Sequence, residues 1–237
     1  MLRLFLACFL GCTVPEGKTD PTDSVVADSS NDSATESAAE SPPDDSDDSV
    51  PPEEPWPFVD GVESYVPGVG AGFGQDNFPD VVYGPPEAPG NGGGSLDVLS
   101  LGQEGSIVVT FRAIEIIDGP GPDLLVFENP FVGWAETGVV GVSEDGQTWT
   151  EWPCDAENMD EGYPGCAGVA LVYANSTNGV DATDPDAAGG DRFDLGEIGV
   201  AQARYVRVRD SGANNYEGLS GGFDLDAIAV VNGMARK

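Results

Sequence analysis

The sequence predicts an all-β protein: a single antiparallel β-sandwich that follows a disordered acidic N-terminal segment. Three observations carry this. From Trp56 onward, short runs rich in Val, Ile, Tyr, Phe and Trp alternate with clusters of Gly, Pro, Asn and Asp. The 237 residues include 33 Gly and 19 Pro, a composition that favours strands and turns over helices. No stretch of ten or more residues repeats its apolar positions with a helical period.

The elements follow in order. "MLRLFLACFLGC" has one Arg, an apolar run and then Gly11-Cys12. It resembles a short bacterial lipoprotein signal peptide, with Phe9-Leu10-Gly11-Cys12 at the cleavage pattern and Cys8 as a second choice. The run is too short to span a bilayer as a helix. The resemblance implies removal of residues 1–11 and lipid on Cys12. Several buried acyl chains would then hold the protein on a membrane, outside the cytoplasm, at the outer membrane or cell surface. Residues 12–55 are dominated by Asp, Ser, Glu, Pro and Thr and contain no aromatic residue. Such a segment cannot bury enough apolar surface to offset its chain entropy, and its like charges extend it, so a tether is expected. The β-sandwich is expected over 56–237. Its strands are predicted at 106–111 (SIVVTF), 123–128 (DLLVFE), 139–144 (VVGVSE), 148–152 (TWTEW), 169–174 (VALVYA), 204–209 (RYVRVR) and 227–232 (AIAVVN). Asp145-Gly146 lies between two of these runs and is the strongest hairpin signal in the chain. Alternation in RYVRVR turns Arg207 and Arg209 outward.

Charge and composition exclude several functions. The formal net charge is -33, with only nine Lys and Arg, so nucleic acid is a very poor partner and divalent cations are natural counter-ions. There is no His, which rules out Ser-His-Asp and Cys-His catalysis and removes the commonest transition-metal ligand. With the signal discounted, Cys154 and Cys166 remain, flanking a polar loop with Gly and Pro; in an oxidising compartment they are expected to pair.

The stretch "DGPGPDLLVFENPF" offers oxygen ligands at unusual density. Asp118 and Asp123 flank a Gly-Pro-Gly-Pro turn, in which the glycines let carbonyls turn inward and the prolines lower the cost of ordering. Glu128 ends the strand that follows, as a metal ligand, an Arg partner (Arg192 or Arg204) or a solvated residue. In "GGFDLDAI", Asp224 and Asp226 are two apart and so can face one side of a strand, outward or toward a rim, while Phe223, Leu225 and Ala227 pack inward. "DPDAAGGDRFDL" adds Asp184, Asp186, Asp191 and Asp194. Calcium takes six to eight oxygens in a geometry that need not be regular, so Asp118, Asp123, Glu128, Asp224 and Asp226 are the candidate ligands for a structural Ca2+. The competing reading is ordinary turn chemistry, each Asp bonding only its own turn.

"VGVSEDGQTWTEW", "ARYVRVRD" and "GGFDLDAIAVV" resemble the galactose-binding-like jelly rolls, which include discoidin domains and several carbohydrate-binding modules. "FGQDNFPDVVYGPP", "GSLDVLSLG", "DGPGPDLLVFENPF" and "GGFDLDAIAVVN" resemble a family of bacterial cell-surface proteins of unassigned function. The resemblance covers residues 68 to 232. It implies a jelly-roll sandwich, often with a structural calcium. Sugar-binding members present aromatic rings, Arg and His from loops at one end; this chain has no His, and its loop aromatics include Phe73, Phe78, Tyr163 and Tyr216. The expected function is therefore non-catalytic: a monomeric cell-surface lipoprotein whose calcium-stabilised sandwich binds an extracellular ligand, with a glycan as the candidate. The alternatives are an envelope or adhesion protein that binds another protein, and an accessory domain of a hydrolase.

Overall fold

A computed structural model describes residues 55–91, 93–214, 218 and 220–236. Cys12, the signal-like start, the acidic tether and Tyr216 lie outside the described residues. Strands β1 (Gly61–Val66), β3 (Ser106–Thr110), β10 (Tyr205–Asp210), β6 (Gly138–Ser143) and β7 (Thr150–Glu151) form one antiparallel sheet in that order. Strands β2 (Leu99–Ser100), β11 (Asp224–Val230), β5 (Leu124–Glu128) and β8 (Asp191–Phe193) form the second, and β12 (Gly233–Ala235), β4 (Ile114–Ile117) and β9 (Gln202–Ala203) a third, small one. Every strand pairing is antiparallel. The only helical pieces among the described residues are four short 3-10 turns, so the all-β sandwich is the observed fold.

Two apolar clusters follow from strand alternation. Ile107, Val109, Val140, Val142, Val206 and Val208 of the first sheet meet Leu99, Leu124, Val126, Phe193, Leu225, Ile228 and Val230 of the second in the main core. Residues of opposite parity, Leu125, Phe127, Ala227 and Ala229, form a second cluster on the other face of that sheet, covered by Phe58, Ala88, Val172, Ala174, Ala182 and Ala188. This second cluster explains the one predicted strand that does not form. Residues 169–174 are loop, with one ladder bridge, Val172–Gly189, and scattered hydrogen bonds to Ala188 and Asp191 in place of a strand pairing. Val172 and Ala174 are apolar because they cover a sheet face, which looks the same in sequence as strand alternation.

The other predicted strands form, and β1, β2, β4, β8, β9 and β12 are additional. Hairpin β6–β7 closes as the Asp145-Gly146 pair suggested. Asp145 accepts N–H bonds from Gln147 and Thr148 at 2.8 and 2.7 Å, and these bonds hold its carboxyl down at about 2. Val206 and Val208 are buried, and the intervening Arg207 and Arg209 face Glu151 on β7, at 3.0 and 3.7 Å. Cys154 and Cys166 form a disulfide. In the chain-entropy account it stabilises by about 3 kcal/mol.

Phe223 anchors the start of β11. Its side chain is fully buried, its N–H donates to Asp210, and Gly138 and Gly168 pack so closely on its ring that an added Cβ would lie 2.6 and 3.2 Å from it. Phe223→Ala is expected to lower unfolding free energy by about 3–5 kcal/mol in chemical denaturation, and to disorder Asp224 with it.

Candidate functional site

The five acids expected in one cage lie in three places. Asp123 and Glu128 bracket β5, and at about 3.3 Å per residue they are about 16 Å apart, too far to share an ion.

The first place is the Gly-Pro turn. Carboxylate oxygens of Asp118, Asp123 and Asp194 lie within 4.8 Å of one another and could hold a metal ion. Asp123 is fully buried and already engaged: one oxygen accepts from Gly119 N–H and the Asn232 amide, both at 2.9 Å, and the other from Leu195 N–H at 2.7 Å. Gly119 has no room for a Cβ, which would sit 2.4 Å from the Asn232 side chain. Asp194 accepts from Gly196 N–H at the start of the 3-10 turn Leu195–Ile198. The "DGPGPD" pattern is thus first a device for tying three chain segments to one carboxylate. Asp118 is exposed.

The second place is the opposite end of β5. Leu225 pairs with Glu128, which brings Asp224 and Glu128 together. Glu128 is 1% exposed, yet neither of its oxygens has a hydrogen-bond partner. Asp224 Oδ1, Asn129 Oδ1 and Glu136 Oε1 are likewise buried and unpartnered, so all five such side-chain oxygens among the described residues belong to these four residues. Neither candidate arginine reaches Glu128: Arg192 pairs with Asp186 at 3.4 Å and Arg204 with Glu115 at 3.0 Å. Burial pushes the Glu128 carboxyl well above its ordinary range, and the charges of Asp224 and Glu136 push it further. Burial and then Asp224 raise Glu136 to about 8; burial raises Asp224 to about 6, with Ser100 and Asn129 partly offsetting. Two other buried acids show the contrast. Asp191 accepts from Gly168, Val169 and Ala170 N–H, and Asp210 from Glu104, Gly212 and Phe223 N–H and the Asn214 amide. Those are structural ties. The Glu128 group has more buried acceptors than donors, and five of its oxygens go unmatched. Glu136 was not among the expected ligands; a single Glu beside Trp134 in "FVGWAET" carries no spacing signal.

These acids open into a pocket of about 610 Å³. Asn129, Glu136 and Asp224 line it together with Phe73, Leu96, Phe131 and Trp134. Trp134 N–H donates to Phe131 O at 2.9 Å, closing a tight turn at Gly133 (φ +82°) that presents both rings. Phe131 and Trp134 are each 53% exposed. Of the other loop aromatics, Phe78 packs on Tyr65 with ring centroids 5.0 Å apart, and Tyr163 lines a neighbouring hollow.

The third place belongs to Asp226. Asp224 and Asp226 do not share an outward face: both are buried. The β11–β5 register shifts between Leu225 and Ala227, so Asp226 is the extra residue of a β-bulge. The bulge turns Ala227 into the second apolar cluster rather than the main core, and sends Asp226 to the segment around Glu87, whose N–H it accepts at 3.0 and 3.2 Å.

No protein-family model matches this chain, and no curated protein matches it.

Burial, offset in part by the Glu87 and Ala88 N–H groups, raises Asp226 to about 7, with Asp97 and Glu87 adding like charge. The folded state keeps this proton to higher pH than the unfolded chain. Its stabilising effect is therefore complete below the unfolded carboxylate pKa and is lost as pH rises from about 4 through about 7. Asp226→Asn, which cannot ionise, should match the parent near pH 3 and exceed its stability above pH 8 by up to about 4 kcal/mol, at 1.36 kcal/mol per pKa unit. Denaturation curves across that range check this; parallel profiles for the two proteins would contradict it.

Proposed function

We propose that this protein is a non-catalytic, extracytoplasmic lipoprotein, anchored through lipid at Cys12, that presents a calcium-set β-sandwich on an acidic tether to bind a glycan. The observation that carries the reading is the pocket with aromatic walls and acidic floor. Sugar rings offer apolar C–H faces that rest on aromatic side chains, and hydroxyls that need closely placed polar groups. Phe131 and Trp134 supply the first, and Asn129, Glu136 and Asp224 the second. Calcium suits the donor set, which is all hard oxygen with neither His nor free thiol. The chain's charge of -33 attracts such ions and repels polyanions.

One observation favours a hydrolase as the second reading. Glu136 at about 8 and Asp224 at about 6 line one pocket, an arrangement that could leave one acid protonated and the other ionised near neutrality. Against it, the unpartnered Glu128 beside them has no role in a two-carboxylate mechanism and a clear one around a cation.

A glycan array probed with and without chelator tests the proposal. Binding to a subset of glycans is expected in calcium, lost on chelation and weakened about tenfold or more by Trp134→Ala, since stacking on one aromatic ring contributes on the order of 1–2 kcal/mol. Silence across the array in calcium would remove the glycan reading. Release of reducing ends from a bound glycan, abolished by Glu136→Gln, would replace it with the hydrolase.

A further inference from the structure

The five unpartnered buried oxygens are not spread over the molecule. Two are on Glu128, and one each on Asn129, Glu136 and Asp224, which interact electrostatically or stand next to one another in the chain. A buried acceptor without a donor costs free energy, and a buried carboxylate beside two others costs more. A single cation resolves all of these costs at once, whereas protonation removes charge but supplies only one O–H donor per carboxyl. Glu128 supplies the argument that a mere cluster of surface acids lacks: it is buried, interacts with the charges of Asp224 and Glu136, and neither oxygen completes a hydrogen bond, the neighbouring Asn129 N–H offsetting only a small part of its cost.

The count of donors decides what the ion would do. Five protein oxygens fall short of the six to eight that calcium takes, leaving one to three positions. Glu128 does not line the pocket; Asn129, Glu136 and Asp224 do. The protein ligands thus lie behind and beside the ion, and the unfilled side faces the cavity between Phe131 and Trp134. We infer that the pocket floor is a calcium centre built by Glu128, Asn129, Glu136 and Asp224 and left incomplete toward the pocket, so that a ligand enters the ion's shell through its own oxygens. Adjacent hydroxyls of a sugar, or a sugar carboxylate, fit that demand while the ring lies on Trp134 or Phe131. This deepens the binding proposal and rests on it only for the nature of the ligand. The Glu128, Glu136 and Asp224 oxygens do not all come within 4.8 Å of one another as those of Asp118, Asp123 and Asp194 do, so ion binding draws them together; half-buried Glu136 has the freedom to close. The Gly-Pro turn is the lesser candidate, because N–H groups already occupy Asp123.

Terbium tests the centre without knowledge of the ligand. The chelator-stripped full chain is titrated with terbium alone, and emission is read on tryptophan excitation, since Trp134 lies within the same pocket. Strong emission is expected, competed by calcium. Trp134→Phe should lose emission while calorimetry still records terbium binding. Glu128→Gln should weaken terbium binding by about tenfold or more, and Asp118→Asn should leave it unchanged. Glu136→Gln gives the same reading at a half-buried position where folding is not at risk. Emission lifetimes in light and heavy water count the waters on the ion, and at least one is expected. Binding unaffected by either Glu variant, binding lost in Asp118→Asn, or an ion with no bound water would each overturn the inference. A hydrated terbium site in a protein that binds nothing on the glycan array would leave the centre standing and remove only the glycan as its ligand.

Discussion

The antiparallel pairing of β5 with β11 is the contact on which the rest of this molecule depends. These two strands lie side by side in the second sheet, and their residues divide strictly between two apolar clusters. Inter-sheet packing of Leu124, Val126, Leu225 and Ile228 sets their depth, and their ends are dragged in with them. Glu128 ends one strand and Asp224 begins the other, so burial of the apolar residues forces burial of the acids. Two carboxylates held this way either protonate or share a cation. The fold thereby turns packing energy into a site with a demand for positive charge.

The same scaffold disposes of its other buried acids differently. Asp123, Asp191 and Asp210 each gather several backbone N–H groups and act as knots that tie distant loops together. Two chemistries therefore coexist in one acid-rich chain. Where donors surround a carboxylate, it is architecture; the acids around Glu128, whose buried oxygens go unmatched, are those for which an ion is proposed. The bulge at Asp226 keeps the two from merging, because without it Asp226 would lie on the same face as Asp224.

Much of the fold was legible along the chain. Val/Ile runs bounded by turn residues located β3, β5, β6, β10 and β11, and Asp145-Gly146 located a hairpin. The run at 61–66 has few apolar residues, interleaved with Gly, Glu and Ser, and the run at 114–117 is only four residues long and interrupted by Glu115, so neither reads clearly as a strand. The loop at 169–174 reads as a strand because covering an apolar sheet face imposes the same alternation as belonging to a sheet. In the candidate site, Glu128 and Asp224 were recognisable as oxygen donors but not as partners, and Asn129 and Glu136 carried no signal of their own.

By itself, the sequence determined the all-β class, the acidity, the lack of any imidazole and the identity of the cysteine pair, because these follow from composition, short-range periodicity and proximity along the chain. Only the tertiary structure decided which acids meet. Strand register, a single-residue bulge and the roughly 16 Å length of β5 sort the carboxylates into separate neighbourhoods. None of these distances is written locally, since each is the outcome of packing between segments about a hundred residues apart.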